Sequence, residues 1–242
     1  MRSKNTQNTS SAYYIYGKHP AICALSNQRR KILEISCTQE FFNQNKAIIE
    51  PHKYKIATNA QIGILVPHDA THQGIAVKTK PIALDGLNSI DLSEDNIKIA
   101  ILDQITDTHN IGAIIRSAAA FGIKAIIMTN DNSPEENGVM AKTSCGGIEV
   151  VPLIKVVNLK AATEQLKKNG FWIIGLEGSA KENISQKALG GKVAIVLGAE
   201  GFGMRRLTME ACDLLVKIPM TGDMESLNVS NAAAIVFYTS SC

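Results

Sequence analysis

The sequence predicts an α/β protein in two parts, a small basic α/β domain followed by a larger domain on a mainly parallel sheet. Three observations carry this. From residue 97 onward, apolar strand-like runs alternate with helical segments, the pattern of a chain that winds helices around a parallel sheet. Those apolar runs are nearly continuous rather than alternating, as strands covered on both faces must be. The charge also changes sign along the chain: residues 1–80 hold 11 Lys/Arg against 4 Asp/Glu, and residues 81–242 hold 14 against 18. A basic module ahead of a mildly acidic one suits a polyanion-binding appendage on a catalytic body.

The 242 residues, 45% of them hydrophobic, suffice for one large or two modest domains with a buried core. The opening MRSKNTQNTSSA contains no apolar segment of the secretory kind, and no run approaches the roughly 18 apolar residues of a membrane span. We expect residues 1–12 to be a disordered tail, and the protein to be cytoplasmic with no membrane partner. YYIYGKHPAICAL then reads as a strand and turn entering a helix, NQRRKILEI as a basic patch meeting a returning strand, and QIGILV and GIAVKTK as further short strands. PIALDGLNSIDLSEDN, residues 81–96, mixes Pro, Gly, Asn, Ser and acidic residues without a period and reads as the linker. In the domain at 97–242, IKIAIL is a strand, NIGAIIRSAAAF a helix, AIIM a strand and GVMAKTS the centre of a helix. FWIIGL and VAIVLG come next as strands, MRRLTMEAC as a helix, LLVKIP as a strand and SLNVSNAAAIVFY as the last helix.

Cys23, Cys37, Cys145, Cys212 and Cys242 are odd in number, widely separated and never spaced as CxxC, so neither a disulfide framework nor a zinc site is expected. The five histidines form no metal-ligand spacing with them, and no metal is expected.

Three segments are polar or glycine-rich where a plain core has no need of it. In DQITDTHNIGAIIRSAAAFG, Asn110 is placed as a helix N-cap and Gly122 as the residue past the C-terminus. Arg116 interrupts a helix of Ile, Ala, Phe and Gly, and a guanidinium among such neighbours needs a carboxylate, carbonyl or phosphate. The alternative is a structural ion pair. In VAIVLGAEGFGMRRL a strand ends at Gly198 and a GxxGxG turn comes after it; it has neither the GxGxxG order of dinucleotide sites nor a GK[ST] phosphate loop. Glu200 in that turn lies just past a strand end, where ligands of α/β domains bind. In LLVKIPMTGDMESLNVSNAAA, Ser226 looks like the N-cap of the last helix, with Asn228 and Asn231 a turn inside. Asn is unfavourable there unless its side chain is bonded, so Asn228 should have a partner. Main-chain groups of this strand and turn could read the edge of a planar heterocycle.

Together these segments resemble the three motifs of the SpoU, or TrmH, branch of the SPOUT RNA methyltransferases. DTHNIGAIIRSAAAFG is similar to the first motif, IVLGAEGFG to the second and IPMTGDMESLNVSNAAA to the third. YGKHPAICAL with HDATHQGIAV resembles the L30e-like substrate-binding domain that precedes the catalytic domain in the 23S ribosomal RNA guanosine 2'-O-methyltransferases. The resemblance implies an α/β-knot domain with a C-terminal deep trefoil knot at 97–242, an L30e-like domain at 1–80, and a homodimer. It implies S-adenosylmethionine as cofactor and a guanosine ribose of 23S ribosomal RNA as substrate; the alternatives are the same transfer on transfer RNA or another ribosomal site and, in a different class, a non-catalytic knotted RNA-binding or ribosome-assembly protein. By the motifs, Asn110, Arg116, Glu200, Ser226 and Asn228 form the catalytic set. Cofactor contacts fall at Gly198, Ile218 and Leu227, with Gly178, Gly201 and Met220 nearby. Lys18, Arg29, Arg30 and Lys31 could grip RNA phosphates. Pro is common in the family where Thr108 stands, a departure that leaves Asn110 and Arg116 in place.

Overall fold

The structure, a computed structural model, describes residues 12–185, 189–222 and 226–241. The expected N-terminal tail lies outside these residues save for Ala12, as do Asp223, Met224 and Glu225 of the third motif. The chain forms two compact units, residues 1–82 and 83–242.

The first unit runs β1 (Tyr13–Tyr16), α1 (Lys18–Ser26), β2 (Ile32–Cys37), α2 (Gln39–Gln44), α3 (Lys46–Ile49), β3 (Tyr54–Ile56), α4 (Asn59–Gly63) and β4 (Ile75–Thr79). Its sheet has the order β1-β4-β2-β3, with β4 antiparallel to β1 and β2, and β3 parallel to β2. Ile15, Ile35, Ile75 and Val77 from the strands bury completely, as do Ala21, Ala24, Ile49 and Ile62 from the helices.

Two expectations fail here. QIGILV is not a strand: Gln61–Gly63 end α4, and only Ile62 of its apolar residues is buried, Ile64 standing 83% exposed. The local reason is a capping box. Thr58 Oγ1 accepts from Gln61 N at 3.3 Å, and Gln61 Oε1 accepts from Thr58 N at 2.9 Å, which satisfies donors that a strand would leave to a neighbour. Arg30, expected among the phosphate-gripping residues, is only 4% exposed. Its Nη1 donates to Tyr13 Oη and to the Lys80 carbonyl, both at 3.1 Å, so it joins the start of β1 to the chain leaving β4. Lys18, Arg29 and Lys31 are exposed.

The second unit contains β5 (Leu84–Asp85), β6 (Lys98–Leu102), α5 (Thr108–Ala120), β7 (Ala125–Thr129), α6 (Gly138–Ser144), β8 (Leu153–Val156), α7 (Leu159–Lys168), β9 (Trp172–Leu176), β10 (Glu182–Asn183), β11 (Val193–Leu197), α8 (Arg206–Glu210), β12 (Leu214–Lys217) and α9 (Val229–Ser241). Its eight-stranded sheet has the order β10-β12-β9-β11-β6-β7-β8-β5, and every pairing is parallel. The central β6, β7 and β11 are buried at every position, which is why their sequences are apolar throughout save for Lys98 at the start of β6 and Thr129 at the end of β7.

The segment 81–96 is not simply a linker. Leu84 and Asp85 pair with Ile154 and Lys155 of β8, and Leu87 is buried in the core of the second unit. β8 and α7 are elements the sequence reading passed over, although Asn158 caps Ala161 N and Gly170, at φ +83°, stands just past the helix. The order of the sheet bears most directly on function. β11 lies between β6 and β9, and β12 lies between β9 and β10, so strands late in the chain are interleaved with earlier ones. Because all are parallel, the loops leaving β6, β9, β11 and β12 emerge along one edge.

Candidate functional site

That edge holds a cavity of about 450 Å³. Its walls come from the loops after β9 (Glu177, Gly178, Ser179), β11 (Gly198 to Gly201, and Gly203) and β12 (Ile218, Met220), and from the approach to α9 (Ser226, Leu227). All six residues expected to touch a cofactor, Gly178, Gly198, Gly201, Ile218, Met220 and Leu227, line it, together with Glu200 and Ser226. Leu176, Leu197, Ile218, Leu227, Val229 and Ala232 supply an apolar side suited to a planar ring.

The glycine turn shapes the cavity by close backbone approach. A Cβ added to Gly198 would lie 2.3 Å from the Gly203 carbonyl carbon and 2.4 Å from Met204 N, so no other residue fits without moving main chain. Ala199 and Gly203 then exchange hydrogen bonds, N to O at 3.1 and 2.8 Å, closing a loop that carries Glu200 at its tip. Asp103, fully buried just past β6, fixes where this loop ends: its carboxylate accepts from Arg205 N at 2.8 Å and from Arg205 Nε at 2.7 Å. The sequence reading missed this pair. A carboxylate directly after an apolar strand was the available signal.

Next to the cavity, Asn228 gathers residues from three segments. Its Nδ2 donates to Asn110 Oδ1 at 3.0 Å and to Glu200 Oε2 at 3.3 Å, while its Oδ1 accepts from Ser230 N at 2.9 Å and Ser230 Oγ at 2.6 Å. Asn228 therefore has the partner the sequence argument required, but its role differs from the expected one. It is the residue before α9 and caps it, whereas Ser226, expected as N-cap, stands two residues earlier on the cavity wall. Asn110 is likewise not a cap. Asp107 holds that position on α5, accepting from His109 N at 2.8 Å, and Asn110 sits inside the first turn with its side chain turned to Asn228. Gly122, at φ +72°, does end α5, and Ile123 N donates back to the Ala118 carbonyl at 2.9 Å.

Arg116 stands apart from this cluster. It lies on the exposed face of α5, and no hydrogen bond or ion pair among the described residues engages its guanidinium. The structural ion pair, the alternative reading of Arg116, is absent among the described residues: the apolar residues of α5 turn inward and leave Arg116 in solvent. Behind the site, burial pushes the Cys212 thiol up to about 12, so it stays a neutral packing group.

Parallel strands whose C-terminal loops enclose an apolar-walled cavity, with an amide and carboxylate cluster beside it, define an α/β enzyme of a nucleoside-bearing cofactor. The chain belongs to the SpoU rRNA Methylase family, whose model matches residues 98–238. Among curated relatives, the 23S rRNA (guanosine-2'-O-)-methyltransferase RlmB of Vibrio parahaemolyticus is 45% identical over 174 residues, 71% of this chain and 70% of that protein. The enzyme of the same name from Escherichia coli K12 is 44% identical over 172 residues, 70% of this chain and 71% of that protein. Among solved structures, the SpoU methyltransferase AviRb of Streptomyces viridochromogenes in complex with AdoMet superposes with a TM-score of 0.81 at 18% identity, covering 95% of this chain and 89% of that one. An RNA 2'-O ribose methyltransferase superposes at 0.79 with 21% identity, covering 98% and 91%. At such identities the two superpositions show the shared fold.

Proposed function

We propose that this chain transfers a methyl group from S-adenosylmethionine to the ribose 2'-hydroxyl of a guanosine in 23S ribosomal RNA. The observation that carries the reading is the adjacency of cavity and cluster: Glu200 both lines the cavity and accepts from Asn228. Family membership and the names of the 42–46% identical relatives support the substrate.

The cofactor supplies a methyl already activated by its sulfonium. The chain's own residues must then align a hydroxyl oxygen with that methyl and ease the loss of a proton from a very weak acid. Asn228 fixes the geometry, because its two amide hydrogens and its oxygen are all committed. Glu200 Oε1 has no hydrogen-bond partner among the described residues and can accept from the ribose or orient a guanidinium. Arg116, exposed on α5 and apart from the cluster of its own protomer, is the cation for the alkoxide forming at a site completed across the dimer. A guanidinium side chain keeps its proton in a protein, so it stabilises negative charge rather than acting as a base.

The enzyme works as a homodimer. Arg116 on α5, and Ile235 and Tyr238 on α9, 39% and 58% exposed, support a covering partner on these two helices. Sedimentation equilibrium should return twice the 26.1 kDa chain mass, and a monomer would remove this part of the reading. The interleaving of β11 and β12 with earlier strands supports the trefoil knot that the motifs imply.

The deciding experiment offers labelled S-adenosylmethionine with unmethylated 23S ribosomal RNA and with bulk transfer RNA, and then maps the modified nucleotide. We expect 2'-O-methylguanosine in 23S RNA alone. Label confined to transfer RNA would overturn the substrate and keep the chemistry, and label in neither would overturn both.

A further inference from the structure

We propose that Glu177 accepts the ribose hydroxyls of the cofactor and so selects the ribonucleoside form of that ligand, an inference that rests on reading the cavity as the S-adenosylmethionine site. Glu177 is the first residue past β9 and lies on the cavity wall. Its main chain is held at the sheet edge, N donating to the Val216 carbonyl at 2.9 Å and O accepting from Ala180 N at 3.0 Å. The side chain is held as well. Oε1 accepts from Ser179 N at 3.3 Å and from Ser179 Oγ at 3.1 Å.

Oε2 is the atom left over. It has no hydrogen-bond partner among the described residues, and it lies 3.5 Å from the place a Cβ on Gly203 would occupy. The carboxylate thus reaches from the loop after β9 toward the glycine loop after β11, with one oxygen still able to accept. S-adenosylmethionine presents three kinds of donor: the adenine amine, the ribose hydroxyls and the ammonium. Adenine belongs against the apolar side at Leu197, Ile218 and Leu227, where main-chain groups meet its edge. The sulfonium must face Glu200 and Asn228, and the ammonium lies beyond it. Ribose joins these two ends, and two hydroxyls on adjacent carbons can share one fixed carboxylate oxygen. Bonds to a charged acceptor are roughly twice as strong as neutral ones, so the selection is large enough to measure.

The test uses the full chain, titrated calorimetrically with S-adenosylhomocysteine, 5'-methylthioadenosine and 5'-methylthio-2',3'-dideoxyadenosine. The wild-type protein should bind the dideoxy compound roughly ten- to a hundred-fold more weakly than methylthioadenosine. Glu177→Gln keeps the shape and the reach to Ser179. It should weaken methylthioadenosine and S-adenosylhomocysteine by about the same factor and leave the dideoxy compound unchanged. A loss confined to S-adenosylhomocysteine would assign the carboxylate to the ammonium and overturn the proposal. Unchanged affinities in the variant, or no preference for the ribose form in wild type, would overturn it while the cofactor reading stands. Failure of the wild type to bind S-adenosylhomocysteine at all would overturn both.

Discussion

Single side chains in this protein take their roles from where their hydrogen-bonding atoms are used. Asn228 spends its oxygen capping α9 and both amide hydrogens on Asn110 and Glu200, so one residue begins a helix and sets a cluster. Arg116 shows the reverse, a charged group whose guanidinium is uncommitted among the described residues. Because nothing among the described residues depends on its guanidinium, Arg116→Ala should leave the melting temperature and S-adenosylhomocysteine affinity near wild type. Methyl transfer should fall at least hundred-fold, the scale of losing an electrostatic stabiliser of developing charge. Steady-state transfer, calorimetry and thermal melting check this together. Turnover within a few-fold of wild type would remove Arg116 from the mechanism.

At the scale of elements, the site is made by the loops that leave the strands. The turn from Gly198 to Gly203 passes over its own strand end so closely that a methyl group at Gly198 would meet backbone at 2.3 Å. Gly198→Ala must displace the Gly203–Met204 peptide, and with it the loop carrying Glu200. We expect the variant to lose cofactor binding by more than ten-fold and to be destabilised by about 1–3 kcal/mol, the range for overpacking. Calorimetry and denaturant melts read the two effects, and wild-type affinity would show that the loop relaxes without harm. Helix boundaries explain several differences between sequence and structure. T-x-x-Q at Thr58 starts α4 just ahead of QIGILV, the run that reads as a strand, and the helix ends within it. The α5 and α9 caps, Asp107 and Asn228, stand three residues before Asn110 and two after Ser226, the two residues that the sequence suggested.

At the scale of the whole molecule, the charge asymmetry belongs to two compact units, and the basic surface lies in the first. Arg30 must be left out of that surface, since its burial against Tyr13 and Lys80 makes it part of the unit's framework. Replacing Lys18, Arg29 and Lys31 with Ala should weaken binding of 23S RNA. It should also lower the slope of log affinity against log salt by up to about 2 to 3, given about 0.7 to 0.9 per phosphate contact. An unchanged slope in filter-binding titrations would move the RNA surface elsewhere. Arg30→Ala, by contrast, should show itself as a lowered melting temperature.

The sequence determined the parallel α/β class, the order of the three motifs and, through the family resemblance, eight of the residues that line the cavity. Unbroken apolar strands, glycines after strand ends and a lone arginine in an apolar helix are local signals, readable one segment at a time. Tertiary structure decided which of those residues meet. Asn110, Glu200 and Asn228 come from segments up to 118 residues apart and join only because β11 is inserted between β6 and β9. Arg30 was buried against expectation, and Arg116 left exposed rather than in a structural ion pair, for the same reason. Burial depends on what the rest of the chain packs against a position, and no run of neighbouring residues encodes that.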